Sequence, residues 1–581
     1  MNHNLVDINN VLVIGCGGAG LRAAIEAKLS GLQVKILGKR QKNDSHTVLA
    51  AGGINAAFGN VDPIDNWKYH FVDTYLEGYK LGNPEQIEIM AKESPLYVEE
   101  IDKWGANFQK LENNKFDQRY FGAHKYRRTC YSGDYTGQSI LNALLQKSQS
   151  LNIPIHDSEY VSDLFVKDNV CFGAMSFNII TGERTAHLAD AVILCTGGHT
   201  RIWKNSSSRD NENTGDGYHL ALKAGCELSD MEMVQFHPTG MVLPGELRGT
   251  LVTEAVRGEG GILLNSKGER FMTKYDSKRL ELSTRDRVAI ANYTEIIEGR
   301  GTENGGVFLD ITHKSKDFII EKIPKIYRQF IENSLIDISK KPMEVSPTAH
   351  YSMGGLKVNS SDHSTKIKGL FAAGEVASGL HGANRLGGNS LAEILIFGAH
   401  AGRSAAKYSK SLTSQMRSNQ IVSQANEYLN RVISKGEENV YLIKSELREI
   451  MWKYCGVIRD EENLQNGMEK LNELEKLLPN IDIRLGDNNQ KDLINKLDLQ
   501  SSVITAKATI FSSLERKESR GAHQRSDFKE LVEGNYFNIN ISLKGDKFII
   551  SKKNISNLKK ELQSLLINSE KVEVLKEKLL E

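Results

Sequence analysis

Val11-Leu12-Val13-Ile14 runs directly into Gly15-x-Gly17-x-x-Gly20, and no other feature narrows the possible folds of this chain as far. The apolar run reads as a buried strand, Leu21 to Leu29 as the helix after the turn, and Val34 to Leu37, past Gly31, as a second strand. Such a strand–turn–helix–strand unit brings backbone amides up to a pyrophosphate at the helix N-terminus. The acidic residue that would take a ribose hydroxyl of NAD at the end of the second strand is replaced by Gly38-Lys39. FAD is therefore the better dinucleotide.

Further pieces of the same α/β, Rossmann-like domain are spread along the chain. Ser45-His46-Thr47-Val48 leads to Ala50-Ala51-Gly52-Gly53-Ile54-Asn55, small residues suited to backbone passing a flat ligand. On the residues alone, His46 reads as a hydrogen-bonding loop histidine. The loop Gln118 to Gly122 carries Phe121, which either packs or covers a ligand. Residues 189–194 form a buried strand before Thr196-Gly197-Gly198, and Asn213 to Gly217, with Asp216, precedes a helix. Gly369 to Gly374 is a strand ending in the carboxylate Glu375, which can accept a ribitol hydroxyl. Asn384 to Leu391 then opens a helix whose first amides would favour an anionic reduced flavin.

An inserted α+β capping domain over about 241–345 separates a first FAD-binding part, 1–240, from a second, 346–405. A helical domain over 406–525 and a small C-terminal region, 526–581, complete the expected organisation. In the helical part Leu471, Leu474, Leu477 and Leu478 lie on one side. The tail reads as strands around Phe537 to Ile550, then an amphipathic helix with Leu558, Leu562, Leu565 and Leu566 as packing.

The polar chemistry concentrates between Gln235 and Arg287. Here stand Gln235-Phe236-His237-Pro238-Thr239-Gly240, Thr253-Glu254-Ala255-Val256-Arg257 and Thr284-Arg285-Asp286. Glu254 and Arg257, three apart on a helical turn, can pair and orient Arg285. The set has no metal-ligand spacing and no nucleophile–base pattern. It suits a small dianion held by Arg, His and Thr, and equally a surface ion-pair network. What favours the ligand is that the rest of the chain would bring a flavin to it.

Composition closes other routes. Formal net charge is +1, which gives no electrostatic case for nucleic acid or a membrane surface. No apolar run approaches the ~18 residues of a membrane span, and Met1-Asn2-His3-Asn4 lacks the basic and apolar regions of a signal peptide. The six cysteines are scattered without a Cys-x-x-Cys pair, so neither an iron–sulfur cluster nor structural zinc is expected in this chain.

Taken together, the motifs closely resemble the flavoprotein subunit of succinate dehydrogenase and fumarate reductase over most of residues 10–525. They include Ser45-His46-Thr47, His237-Pro238-Thr239-Gly240, Thr253-Glu254-x-x-Arg257, Thr284-Arg285-Asp286, His350-Tyr351-x-Met353-Gly354-Gly355 and His381 through Leu391. The resemblance implies succinate–fumarate interconversion by hydride transfer to FAD bonded covalently through His46. It implies cofactor contacts from Gly15, Gly17, Gly20, Lys39, Ser45 and Thr47. Gly52, Gly53, Asp216, Glu375, Asn389, Ser390 and Leu391 would extend them. By the same match His237, Thr253, His350 and Arg385 would bind the substrate carboxylates, with Phe121 nearby. Arg285 would move the proton, relayed through Glu254 and Arg257. The implied partners are one or more membrane anchors together with an iron–sulfur subunit, placing the chain in the cytoplasm on the inner face of a membrane. Residues 530–581 lack the aromatic and histidine motifs of many members, and the loop Leu243 to Arg248 looks longer than usual. L-aspartate oxidase shares the Thr-Glu…Arg…Arg-Asp machinery but lacks the flavin-linking histidine, so His46 argues against it. A thiol-linked or soluble fumarate reductase of the same fold is a further alternative.

Overall fold

The computed structural model describes residues 5–121, 123–486, 490–545 and 547–568. Gly122 of the expected ligand-covering loop and the tail from residue 569 onward lie outside them.

The first sheet holds β1 (Leu5–Ile14), β2 (Val34–Gly38), β3 (Ile155–Asp157), β4 (Glu159–Lys167), β5 (Val170–Asn178) and β6 (Arg184–Leu194). Its spatial order is β3-β2-β1-β6-β5-β4. After β6 the chain builds a second, antiparallel sheet from β7 (Val234–Met241), β8 (Ile262–Leu264), β9 (Val307–Asp310) and β10 (Met343–Ser352). It then rejoins the first sheet as β11 (Leu370–Ala372), which pairs in parallel with the last three residues of β6. Five helices matter most: α1 (Gly18–Leu29), α2 (Asp216–Lys223), α3 (Arg285–Glu295), α4 (Asn389–Ser411) and α5 (Lys491–Glu515).

β1 is longer than the apolar run suggested, and its two halves differ for a physical reason. Val11 to Ile14 pairs on both sides, with β2 and β6, and is buried. Leu5, Val6 and Ile8 pair with β6 alone and stay more than half exposed. Within the buried half, side chains alternate between layers. Val11 and Val13 pack with α1 and α4, whereas Leu12 and Ile14 pack with α2.

α1 and α4 are far apart in the sequence, yet they lie in close contact. Gly398 and Gly402, one turn apart on α4, make this possible. A Cβ on them would stand 2.8 Å from the Ala19 carbonyl oxygen and 2.3 Å from that of Ala23. Bare backbone at two successive turns lets the helices approach closer than side-chain ridges allow.

The expected tail strands form a hairpin, Phe537–Lys544 with Lys547–Asn554, that adds to Leu228–Ser229 through Asn540 and Ser229. Leu562 and Leu566 of the short helix after it are buried against the cluster around α1 and α4. In the helical part, Leu471, Leu474 and Leu478 are buried in one core and Leu477 packs against it.

Gly402→Val should force α1 and α4 apart, because the obstructing atom is backbone that cannot rotate away. The expected cost is about 1–3 kcal/mol. Thermal unfolding should show a lowered midpoint, and bound flavin per chain should fall as α1 shifts. A parent-like melting curve would contradict the close contact.

Candidate active site

The two sheets meet over a cleft of about 2250 Å³ of atom-free space, counting its open mouth. Its walls come from the turn after β1, the loop around His46, the loops after β6 and β11, the start of α4, and the base of the second sheet.

The turn between β1 and α1 shows what the cleft is shaped to hold. A Cβ on Gly15 would stand 2.0 Å from the Cys195 carbonyl oxygen, so the protein itself demands glycine there. On Gly17 a Cβ would meet nothing closer than 3.5 Å, so glycine keeps that wall open to the cleft. Ser45 lines the cleft with a buried hydroxyl that has no hydrogen-bond partner among the described residues, while Thr47 Oγ1 accepts from Gly18 N at 3.1 Å. Bare backbone at a helix start, with an unused hydroxyl beside it, fits a pyrophosphate. Gly52 and Gly53 also line the cleft, and a Cβ on Gly52 would strike Phe121 at 2.6 Å.

Lys39 and Asp216 reach the wall together. Lys39 Nζ is 3.5 Å from Asp216 and 2.6 Å from Asp498 on α5, a residue the sequence did not point to. Burial opposes the lysine charge, but Asp498 and Asp216 outweigh it and raise its pKa.

His46 opens a 3₁₀ turn, and its Nδ1 lies 2.9 Å from Glu212 Oε1. Burial works against protonation, yet Glu212 overrides it and holds the imidazole pKa up. The contact fixes Nδ1 and leaves Nε2 as the other nitrogen. Glu375 takes the Ser352 amide at 3.0 Å and is pushed up to about 7 by burial. Ser390 and Leu391, the second and third residues of α4, complete this wall.

Two of the expected cofactor contacts stand behind the wall. Gly20 does not line the cleft; a Cβ there would stand 1.9 Å from the Gly15 carbonyl oxygen, so its absence lets α1 sit on the turn. Asn389 is fully buried facing away, with Oδ1 accepting from Asn55 Nδ2 at 2.7 Å and Nδ2 donating to Thr74 at 2.9 Å. Both shape the wall from outside it.

The residues expected to bind the carboxylates gather where β7, β10, α3 and the loop before α4 converge. Arg385 donates from Nη2 to Gln235 Oε1 at 3.0 Å and from Nη1 to Ser390 Oγ at 3.1 Å. Arg285 donates from Nη1 to the same Gln235 oxygen at 3.4 Å and from Nε to Glu254 at 2.9 Å. Glu254 in turn lies 3.8 Å from Arg257, the pairing expected from their spacing on a helical turn. Arg257 is buried behind Glu254, off the cleft wall. Phe121 sits under the Arg285 guanidinium, 5.6 Å from ring centre to Cζ.

His237 and His350 face each other with ring centres 5.5 Å apart. Burial first, then the neighbouring arginines, hold both well below the ordinary imidazole pKa, so both are neutral. Thr239 N donates to His237 Nδ1 at 3.2 Å, which leaves the His237 proton on Nε2 as a donor. Ser207 lies 2.9 Å from His350 Nδ1. Thr253 lines the same wall. Burial together with Arg285 lowers Arg385 to about 10. The arrangement therefore presents cationic forks and neutral donors to one volume, with Glu254 linking Arg285 to Arg257 at its edge.

Gln235, Glu212 and Asp498 escaped the sequence reading as site residues. Gln235 had a signal, since it precedes His237 by two on a strand and so shares its face. Glu212 and Asp498 had none, being 166 and 459 residues from their partners.

Comparison with known proteins agrees with this geometry. The FAD binding domain family matches residues 10–391, and the fumarate reductase flavoprotein C-terminal family matches 444–573. The chain is 44% identical to one subunit of the fumarate reductase (CoM/CoB) of Methanothermobacter marburgensis, covering 90% of this chain and 94% of that one. It is 36% identical to the succinate dehydrogenase flavoprotein subunit of Rickettsia bellii, covering 90% of each. Among solved structures, an Escherichia coli quinol fumarate reductase chain superposes with a TM-score of 0.91 at 32% identity, over 96% of this chain and 98% of that one. The chain is an FAD-binding oxidoreductase and belongs to the succinate dehydrogenase and fumarate reductase flavoprotein subunit family.

Proposed function

We propose that this chain interconverts succinate and fumarate on FAD joined to His46, and passes the electrons to an iron–sulfur partner subunit. The observation that carries the reading is the convergence of Arg285 and Arg385 on one cleft beside two neutral histidines, with Arg285 backed by Glu254. Gly15, Gly17, Ser45, Thr47, Lys39 and Asp216 would hold the dinucleotide. Gly52, Gly53, Glu375, Ser390 and Leu391 would hold its ring and ribityl portion. Bound FAD would supply the hydride acceptor.

The chain's own groups do the rest. Arg385, His237, His350 and Thr253 hold and partly neutralise the two carboxylates, which fixes the carbon skeleton in one orientation. Arg285 carries the proton, and Glu254 and Arg257 relay it. An arginine is a poor general base in water, because its pKa exceeds ~12. Here its Nε donates to the Glu254 carboxylate at 2.9 Å, which gives the proton a partner to be handed on to. Phe121 packs beneath it and keeps the fork in place.

No helix among the described residues is long and apolar enough to cross a membrane. In this reading, attachment to the inner face of a membrane comes through partner subunits. A second reading is favoured by the 44% identity to a fumarate reductase named for CoM and CoB. In it the chain reduces fumarate with electrons drawn from thiols by its partner. Native purification with bound partners, assayed with quinol and with thiol donors, separates the two. Iron and labile sulfide should travel with the partner; finding them in the isolated chain would contradict both.

Covalent attachment is expected to survive denaturation. The chain should fluoresce in a denaturing gel after acid precipitation, provided the host's own assembly factor is present. His46→Ser should abolish that signal. Glu212→Leu should weaken it by freeing the imidazole to turn, while FAD stays bound non-covalently. Flavin released entirely by acid from the parent would remove the His46 argument against aspartate oxidase.

Arg285→Lys should lower kcat by roughly 10²–10⁴, the usual worth of a positioned acid–base group. Flavin content and dicarboxylate binding should stay close to parental. Arg385→Ala should also weaken malonate binding, by roughly 10–100-fold, since it removes charged hydrogen bonds worth ~1.5–3 kcal/mol. Titrating the flavin spectrum with malonate reads one effect and steady-state rate the other. Near-parental turnover in Arg285→Lys, or parental malonate affinity in Arg385→Ala, would reverse the assignment.

A further inference from the structure

Behind the two arginines runs a file of three side chains that the catalytic reading does not use. Gln235 Oε1 accepts from both guanidiniums. Its Nε2 donates to Asn384 Oδ1 at 2.8 Å and to the Arg385 carbonyl at 3.0 Å. Asn384 Nδ2 donates in turn to Glu77 Oε1 at 2.7 Å. Glu77 is the last residue of the helix Trp67–Glu77, on the far side of the file from the cleft.

A carboxamide has a direction: its oxygen only accepts and its nitrogen only donates. Two guanidiniums can be served by an amide oxygen and never by an amide nitrogen. Gln235 must therefore keep its oxygen toward the cleft and its nitrogen toward Asn384. If Asn384 turned over, its NH₂ would face the NH₂ of Gln235 at hydrogen-bond distance, two donors with no acceptor between them. Asn384 is held the right way round by having an acceptor for its own nitrogen, and that acceptor is Glu77. Burial, then the charge of Asp286, pushes the Glu77 carboxyl up to about 8. In either protonation state it keeps an oxygen that accepts. The polarity of the file is thus fixed at both ends, by the guanidiniums at one and, at the other, by a group that never touches substrate.

We propose that Glu77 is a positioning residue which, through Asn384 and Gln235, fixes the oxygen that holds Arg285 and Arg385 at the dicarboxylate site. The proposal rests on the functional reading above. A purely structural strut between the helix and the loop before α4 would affect folding and flavin retention but would not depend on Gln235. A double-mutant cycle separates the two.

The cycle uses the flavin-loaded parent, Glu77→Leu, Gln235→Leu and the double variant, each assayed for succinate oxidation and malonate binding. Glu77→Leu should lower kcat roughly tenfold and raise the KM for succinate several-fold at unchanged flavin per chain, within the coupling seen inside one hydrogen-bond network. In the Gln235→Leu background the same change should cost less than about twofold. Glu77→Gln, whose amide oxygen still accepts, should keep most of the parental kcat. Equal losses in both backgrounds, a parent-like Glu77→Leu, or a Glu77→Gln as impaired as Glu77→Leu would each overturn the proposal. If Glu77→Leu fails to load flavin, Glu77→Asp takes its place in the cycle; it keeps the charge but retracts the acceptor by one methylene. Absence of turnover and of malonate response in the parent would end the functional reading. An active parent with an additive cycle would end this proposal alone.

Discussion

Two largely buried guanidiniums of like charge held at one cleft set the terms for everything around them. Burial penalises each, and each raises the other's cost. The protein answers with oxygens. Gln235 shares one between the two arginines, Ser390 gives Arg385 a second, and Glu254 gives Arg285 a carboxylate. Compensation is incomplete: Arg385 Nε is buried without a partner among the described residues, and the Arg385 pKa sits near 10. A site left short of negative charge in this way is one whose electrostatics an anion would complete.

The same logic governs how the site is mounted. β7 and β10 pair with each other and carry Gln235, His237 and His350 between them. α3 begins with Arg285 itself, and Arg385 stands in the loop leading into α4. Groups on regular elements lose little precision to thermal motion, so donors stay aimed where charge must be held. α4 is locked onto α1 by backbone contact at Gly398 and Gly402, which ties the arginine half of the cleft to the glycine turn after β1.

How much of this could be read beforehand depended on distance along the chain. The strand–turn–helix–strand unit was legible because apolar run, glycines and helix are contiguous, and the α/β class with its parallel strands follows from it. Glu254 and Arg257 were legible as a pair because helical spacing is a local rule. The Gly20 and Asn389 positions show the limit of matching motifs. Both belong to the right loops, yet one faces the turn and the other faces Asn55, and only packing decides which side of a wall a residue is on. The Glu212–His46 and Asp498–Lys39 contacts had no local trace at all. Nor did the adhesion of the tail hairpin to Leu228–Ser229, since a strand pattern does not name its partner.

The ion pair between Lys39 and Asp498 has a temporal side. Its two members are 459 residues apart, and the lysine belongs to the earliest wall of the cleft while the aspartate belongs to one of the last helices. During synthesis, a chain long enough to display the glycine turn still lacks Arg385, α4 and Asp498. Non-local closure of this kind is slow and comes late. The cofactor's compartment is thus finished only when nearly all of the polypeptide has left the ribosome. The nascent first wall spends that interval with its apolar strand faces uncovered, which makes early association with a chaperone or with the flavin itself a matter of timing as much as of affinity.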